Sequence, residues 1–190
     1  VQAFSSLPIM VREGQLKYSV SAGRYNSNSD DQQTPEFVSS TVAYGVSSNL
    51  SAIVGTQATE NFQALSIGAG RNTAIGAISL DLTHSNSRTF GRTVKGNSLR
   101  ALYAKTFTGT DTNFTLAAYR YSTEGYRTLS EHVEELSREG EQRTGNSKTR
   151  TDLTVNQSLG RNQQFGSIYL NASDQRYWGR GGSQSLSAGY

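Results

Sequence analysis

Asp81 and His84 supply a carboxylate and an imidazole, the side chains of an acid–base catalyst, within one short segment. The segment alternates between apolar and polar residues, which predicts a β-strand. Residues three apart on a strand lie on opposite faces, so the two side chains cannot hydrogen-bond directly. We therefore predict no catalytic residues and interpret His84 as a polar residue at a strand end.

A second histidine, His132, lies among the carboxylates of Glu131, Glu134 and Glu135. Imidazole and carboxylate groups are metal ligands, but a zinc-type site needs further histidines or thiolates, and the chain contains no cysteine. We therefore predict neither a metal site nor a disulfide and expect a solvated loop at this position.

Two further motifs resemble ligand sites but lack the right context. The glycines of IGAGRN (67–72) have no following helix, so they indicate close packing or bending of a strand and not a phosphate-binding loop. The basic aromatic run RYWGR (176–180) is interpreted as interfacial aromatics flanked by loop arginines, not as a platform for stacking bases. Neither motif implies a cofactor, and a net charge of +3 dispersed along the chain does not indicate nucleic acid.

The segments that carry these residues form a ladder of amphipathic strands. In the run 78–83, for example, Ile and Leu alternate with Ser, Asp and Thr, which is the period of a strand with two different faces. The ten predicted strands lie at residues 16–25, 37–46, 50–59, 62–71, 76–84, 98–107, 113–122, 149–159, 166–176 and 183–190.

The connections between these strands mostly alternate between tight turns and longer polar loops. The tight turns lie at 47–49, 72–75, 108–112 and 160–165, the loops at 26–36, 85–96 and 123–148, and the short Glu60–Asn61 connection breaks the rule. Short turns at one rim and long loops at the other are typical of outer-membrane barrels. We therefore predict an all-β, antiparallel, up-and-down transmembrane β-barrel, here an incomplete segment of about ten strands.

The composition agrees with a barrel that has a wet interior. Only 34% of the residues are hydrophobic, too few for the dry core of a soluble domain of 190 residues. No run of about 18 apolar residues predicts a transmembrane helix. Residues 1–10 lack the charged start and apolar stretch of a signal peptide, so we expect a removed signal or an internal segment.

Aromatic residues cluster near the predicted strand ends. Amphipathic rings favour the membrane–water interface, so we predict two aromatic belts, although aromatics are also simply good strand formers. The belt residues are Tyr25, Phe37, Tyr44, Phe62, Phe107, Phe114, Tyr121, Phe165, Tyr177 and Trp178.

The segment 129–145, rich in Glu, Arg and Ser, is the one stretch with helical potential. We favour a mobile polar loop at the cell surface, because we identify no apolar stripe that would dock such a helix.

Four segments resemble the translocation pore of outer-membrane ushers, which belong to the chaperone–usher pathway of fimbrial assembly. They are LPIMVREGQLKYSVSAGRY (7–25), ENFQALSIGAGRNTAIGAISLDLTHS (60–85), GNSLRALYAKTFTGTDTNFTLAAYRYSTEGY (96–126) and SLGRNQQFGSIYLNASDQRYWG (158–179), in the family's order. The specific signal is the combination of REGQLKYSVSAGRY, YRYSTEGY and DQRYWG.

The resemblance implies a pore of roughly two dozen strands in the outer membrane of a Gram-negative bacterium, closed at rest by a plug domain inserted between two strands. Residues 1–15 would leave the plug region and residues 16–190 would form part of the pore. The implied partners are chaperone–pilin subunit complexes, the tip adhesin, outer-membrane lipid, and the plug and periplasmic domains of the same full-length chain. The implied function is passive: subunits joined by donor-strand complementation slide along a polar lumen, without cofactor or enzymatic activity.

The strand pattern alone leaves two other hypotheses open. A general porin or an autotransporter barrel would share the alternation but not the REGQLKYSVSAGRY and DQRYWG segments. A soluble all-β binding module, such as a sandwich with Tyr-rich loops, would instead need a compact, dry interior.

Overall fold

The computed structural model describes residues 10–25, 34–107, 112–137, 146–159 and 165–190, and for 112–119 and 137 the backbone alone. The described residues form ten strands and one helix. The elements are β1 (Leu16–Arg24), β2 (Glu36–Ser47), β3 (Leu50–Ala58), β4 (Phe62–Thr73), β5 (Gly76–Thr89), β6 (Arg92–Phe107), β7 (Thr112–Ser122), α1 (Leu129–Ser137), β8 (Ser147–Ser158), β9 (Ser167–Tyr177) and β10 (Ser183–Gly189).

The ten strands form one sheet in which every strand pairs with the next one along the chain. All nine pairings are antiparallel, which confirms the predicted up-and-down topology. β1 and β10 end the order, so the sheet is open, as expected for an incomplete barrel. Among the described residues, no helix has the length and apolar character to cross a membrane.

One face of the sheet, here called the outward face, is apolar and exposed. A row of register partners crosses seven strands on this face, through Tyr18, Val42, Val54, Ile67, Leu82, Leu99 and Tyr121. These side chains are between 37% and 77% exposed. Contiguous exposed apolar surface of this extent indicates contact with lipid or another apolar partner.

The opposite face, here called the inner face, carries small polar side chains and glycine. Ser66, Ser79, Ser85 and Ser98 are buried on this face, against neighbouring strands or against the chain that follows β7. Small side chains leave room for a second layer of chain to lie directly on the sheet.

The connection predicted as a long polar loop at 85–96 is instead a hairpin. β5 continues to Thr89 and β6 begins at Arg92, and between them Phe90 and Gly91 have φ angles of 48° and 74°. Positive φ at both central residues gives the two-residue turn whose twist matches paired strands. The loop prediction is wrong because strand pairing continues past the apolar rows, where both faces are polar.

The expectation of a polar loop at 129–145 is also wrong for its first part, which is α1; residues 138–145 lie outside the described residues. The helix begins with a capping box in which the Glu131 carboxylate accepts from Thr128 N at 2.9 Å and Thr128 Oγ1 accepts from Glu131 N at 3.3 Å. Leu129 and Val133, four residues apart, are buried. The helix therefore has the apolar stripe that the sequence analysis did not identify.

Candidate functional site

The inner face of the sheet carries a row of charged side chains at one level. The row runs through the register partners Asp81, Arg100, Arg120 and Arg150 on β5 to β8. Arg100 Nη2 lies 2.9 Å from Asp81 Oδ2, and Arg150 Nε lies 2.8 Å from Asp152 Oδ2. On β4, Gly68 leaves space for this row, since a Cβ there would lie 2.4 Å from Asp81 Oδ1. This part of the inner face presents charged and hydrogen-bonding groups to any molecule that contacts it.

Part of the inner face is covered by residues 123–137, which we call the cover segment. Arg127 N donates to Ser85 Oγ at 3.0 Å, and Ser87 Oγ lies 2.8 Å from His132 Nδ1. Both serines face inward from β5, so the cover segment folds back over the sheet instead of projecting away from it.

Two glycines allow the cover segment to lie directly on β6. A Cβ on Gly96 would lie 2.0 Å from Tyr126 N, and a Cβ on Gly125 would lie 2.1 Å from the Lys95 carbonyl oxygen. Both contacts are with backbone atoms, which cannot rotate away as a side chain can. The close approach therefore requires glycine at both positions.

An apolar cluster holds α1 against the sheet. Phe37 and Phe62 from β2 and β4 pack with Leu129 and Val133 of the helix, and all four are buried. Tyr25 and Ala64 pack against the same cluster. Removing four large side chains from water supplies the main stabilisation of the docked helix.

His132 lies at the centre of this contact and is fully buried. Its Nδ1 is bonded to Ser87, its ring is tilted against the Phe62 ring at 5.4 Å, and its Nε2 is buried without a hydrogen-bond partner among the described residues. Burial lowers the pKa of His132 below its usual 6.5, because a charged imidazolium would lose its hydration. The docked helix therefore favours neutral His132.

Arg127 forms several hydrogen bonds within the cover segment. Its Nε donates to the Glu135 carboxylate, and its Nη1 donates to the carbonyl oxygens of Glu124 at 2.8 Å and Tyr126 at 2.9 Å. Burial raises the pKa of the Tyr126 hydroxyl, which is partly offset by the nearby positive charge of Arg120. The segment is thus a folded element with its own ion pair, not a solvated chain.

The chain that enters β1 also runs along the inner face, at the rim with the tight turns. Val11 N donates to Ser51 Oγ at 2.9 Å, and Gly14 N donates to the Gly45 carbonyl oxygen at 2.9 Å. A Cβ on Gly45 would lie 2.0 Å from the Arg12 carbonyl oxygen, so glycine is required there too. Residues 1–9 lie outside the described residues.

The predicted belt aromatics occupy different environments. Tyr44, Phe107, Tyr121 and Phe165 are exposed, and Tyr44 and Tyr121 stand on the outward face. Their assignment to a membrane interface stays a prediction. The side chain of Phe114 lies outside the described residues.

Three other belt residues lie near the rim with the longer connections, and two of them make polar or cation–π contacts. Trp178 Nε1 donates to the Ser122 carbonyl oxygen at 3.0 Å, and the Lys148 ammonium lies 4.4 Å from the centre of the same ring. The Arg180 guanidinium lies 4.0 Å from the ring centre of Tyr177. The third residue, Tyr25, is partly buried beside the apolar cluster.

Phe37 and Phe62 do not lie in a belt. They face inward beneath α1, with 8% and 1% of their surfaces exposed. The physical reason is that successive side chains on a strand point to opposite faces, so Phe37 points inward because Val38 points outward. An aromatic ring that points inward at this rim is buried by α1.

The acid–base pair is separated as the spacing predicts. Asp81 faces inward with Arg100, whereas His84 faces outward, where its Nδ1 lies 2.8 Å from Asn97 Oδ1. No group of three or more His, Cys, Asp or Glu side chains suited to a metal ion occurs in the described part of the chain. The residues that sequence reasoning missed are those of the cover segment, whose T-x-x-E capping box and i, i+4 apolar pair were the available signals.

Comparison with known proteins gives a consistent result. The sequence model of the family described as outer membrane usher protein matches residues 1–190. The outer membrane usher protein FimD of Salmonella typhimurium is 35% identical over 92% of this chain, and the probable outer membrane usher protein LpfC' of Escherichia coli O157:H7 is 38% identical over 97%. The chain spans 22% and 38%, respectively, of the length of these two relatives.

Two solved structures share the fold. The translocation pore of the P pilus usher PapC matches 95% of this chain with a TM-score of 0.77 and 27% identity, and the chain covers 36% of that structure's chain. An E. coli P pilus tip assembly intermediate, PapC-PapD-PapK-PapG, matches 96% with a TM-score of 0.60 and 25% identity, over 27% of the matched chain.

Proposed function

This chain belongs to the outer membrane usher family, and we propose on that premise that it forms part of the wall of a pore for fimbrial subunits. The family places the chain in the outer membrane of a Gram-negative bacterium. In the full-length protein, folded subunits delivered by a periplasmic chaperone, with the tip adhesin, pass along the inner face. The assignment of these partners is supported by the similar P pilus tip assembly intermediate, in which the usher PapC is in complex with PapD, PapK and PapG.

The observation that carries the proposal is the contrast between the two faces of the sheet. The outward face offers a continuous apolar row to lipid, while the inner face offers serine, glycine and charged side chains. Such an inner face makes weak, exchangeable hydrogen bonds and few apolar contacts, so a folded subunit can slide along it without being held. We propose a conduit for this chain and not an enzyme.

We propose further that residues 1–15 lead from a plug domain into the pore wall formed by 16–190. The support is that Val11 and Gly14, within residues 1–15, bond to the inner face of the sheet. We also propose that Tyr44, Phe107, Tyr121 and Phe165 contact the membrane interface, because these rings are exposed near strand ends.

The experiment that tests the conduit uses the absence of cysteine from this chain. In the full-length usher, with any cysteine outside this chain replaced by serine, single substitutions Asn171→Cys and Leu170→Cys place a photoactivatable thiol reagent on the inner and outward faces of β9. During fimbrial assembly, we expect Asn171→Cys to crosslink to a transiting subunit and Leu170→Cys to crosslink to lipid. Subunit crosslinks that favour the outward position, or that do not differ between the two, would contradict the proposal.

A further inference from the structure

The outward face changes from apolar to polar along a single register row. Val38 on β2 is aligned in turn with Ala58, Gln63, Asn86 and Lys95 on β3 to β6. Strands of a membrane barrel tilt by about 35–45°, so a row across them passes from one membrane depth to another. The row therefore leaves the apolar layer and ends in polar side chains on β5 and β6.

We call these polar side chains the outward basic patch. It consists of His84, Asn86, Arg88, Lys95 and Asn97. Along β5 and β6, the patch follows Leu82 and Leu99 in the direction of the rim with the longer connections. These two leucines are 45% and 44% exposed. Its side chains therefore stand at the edge of the apolar surface and not within it.

The register brings the two permanent cations of the patch close together. Lys95 is the partner of Asn86, so His84 and Arg88 are its diagonal neighbours. Diagonal neighbours on paired strands are about 7–8 Å apart, within reach of side chains as long as Lys and Arg. The hydrogen bond between His84 Nδ1 and Asn97 Oδ1, at 2.8 Å, fixes the orientation of the ring beside them.

On β4, β5 and β6, the strands that carry and adjoin the patch, no carboxylate on the outward face balances it. Within β4, β5 and β6, all of which the structure describes, Asp81 is the one acidic residue, and it faces inward with Arg100. Glu60 lies in the connection between β3 and β4. Neighbouring like charges repel, so an anion from outside the chain would stabilise the patch.

We propose that the outward basic patch binds phosphate groups on the headgroups of lipids in the outer leaflet of the membrane. Lys and Arg form charge-assisted hydrogen bonds to phosphate oxygens, and Asn and His supply further hydrogen-bonding groups. Basic clusters at the edge of the hydrocarbon layer attract anionic headgroups. The adjoining leucines would contact the acyl chains of the same lipid. The inference depends on the orientation of the barrel, with longer connections outside, and not on the passage of subunits.

The test uses the full-length usher in nanodiscs and measures bound lipid by native mass spectrometry. The probe is diphosphorylated lipid A titrated into phosphatidylcholine nanodiscs, with dephosphorylated lipid A as the comparison. The test variant is Arg88→Gln with Lys95→Gln. The control is Arg71→Gln, which removes a cation from the same face of β4 at the opposite rim.

At about fivefold per cation, the double variant should bind diphosphorylated lipid A about 25-fold more weakly than the wild type. Arg71→Gln should bind like the wild type, and dephosphorylated lipid A should bind weakly to all three. Equal losses in the test and control variants, or no loss in the double variant, would overturn the proposal. Displacement of the lipid by millimolar inorganic phosphate would also overturn it, by showing a site for a free ion. Counting surface fimbriae for the same variants tests the conduit separately.

Discussion

Substituting Val133 by alanine should release the cover segment from the inner face without disturbing the barrel. Val133 is 1% exposed and packs with Phe37, Phe62 and Leu129. The substitution leaves the sheet register untouched, because the side chain belongs to α1 and not to a strand.

The magnitude follows from the two buried carbons that the substitution removes. At about 0.8 kcal/mol per carbon, together with the cavity left behind, the docked state loses about 2 kcal/mol. That loss raises the population of the undocked segment about 30-fold.

Hydrogen exchange of the full-length protein in nanodiscs measures this population. The His132 amide, bonded to the Thr128 carbonyl oxygen at 2.9 Å, exchanges only when the helix opens, so its rate should rise about 30-fold. The matched control is Val54→Ala, which removes the same two carbons from a side chain that is 46% exposed on the outward face. The reasoning is refuted if exchange in α1 rises by less than about twofold in Val133→Ala, or rises equally in the control.

Three further perturbations address the same contact. Burial lowers the pKa of His132 below 6.5, so the stability that neutral His132 lends to the docked helix is complete above pH 6.5 and is lost as the pH falls through the lowered pKa. Hydrogen exchange in α1, corrected for intrinsic rates, should therefore accelerate on acidification in the wild type. It should accelerate much less in His132→Gln. Gly96→Ala places a methyl group 2.0 Å from Tyr126 N and should expose the cover segment to protease, whereas Gly181→Ala, with no atom within 4 Å, should not. Glu131→Ala removes half of the capping box and should weaken the helix by about 1 kcal/mol, a fivefold rise in exchange in its first turn; equal exchange before and after the substitution would exclude the cap as a support.

The strand ladder was predictable because its signal is local. In the run 78–83 the side-chain period of two is visible in the letters alone, and consecutive strands with short connections leave few alternatives to an antiparallel sheet. The outward and inner faces followed from the same alternation.

Other features were visible in the sequence but misread. Phe37 and Phe62 have inward parity relative to Val38 and Leu65, so their burial inside was available from the alternation. The helix was not predicted because the apolar pair Leu129 and Val133 was not recognised as a stripe, although Thr128 and Glu131 also have capping-box spacing. The contact between Gly96 and Gly125 was not accessible at all, because it depends on a tertiary fold-back of the chain over β6.

The central claim is that alternate residues of one strand face lipid and water. Spin labels at single cysteines along residues 78–83 of β5, in the membrane-embedded full-length protein, test it most directly through accessibility to oxygen and to a water-soluble nickel complex. The prediction is oxygen maxima at Ile78, Leu80 and Leu82 and nickel maxima at Asp81 and Thr83, with a smaller nickel signal at Ser79, which is buried on the inner face. Equal accessibility at all six positions, or protection of both sets from nickel and oxygen, would contradict it.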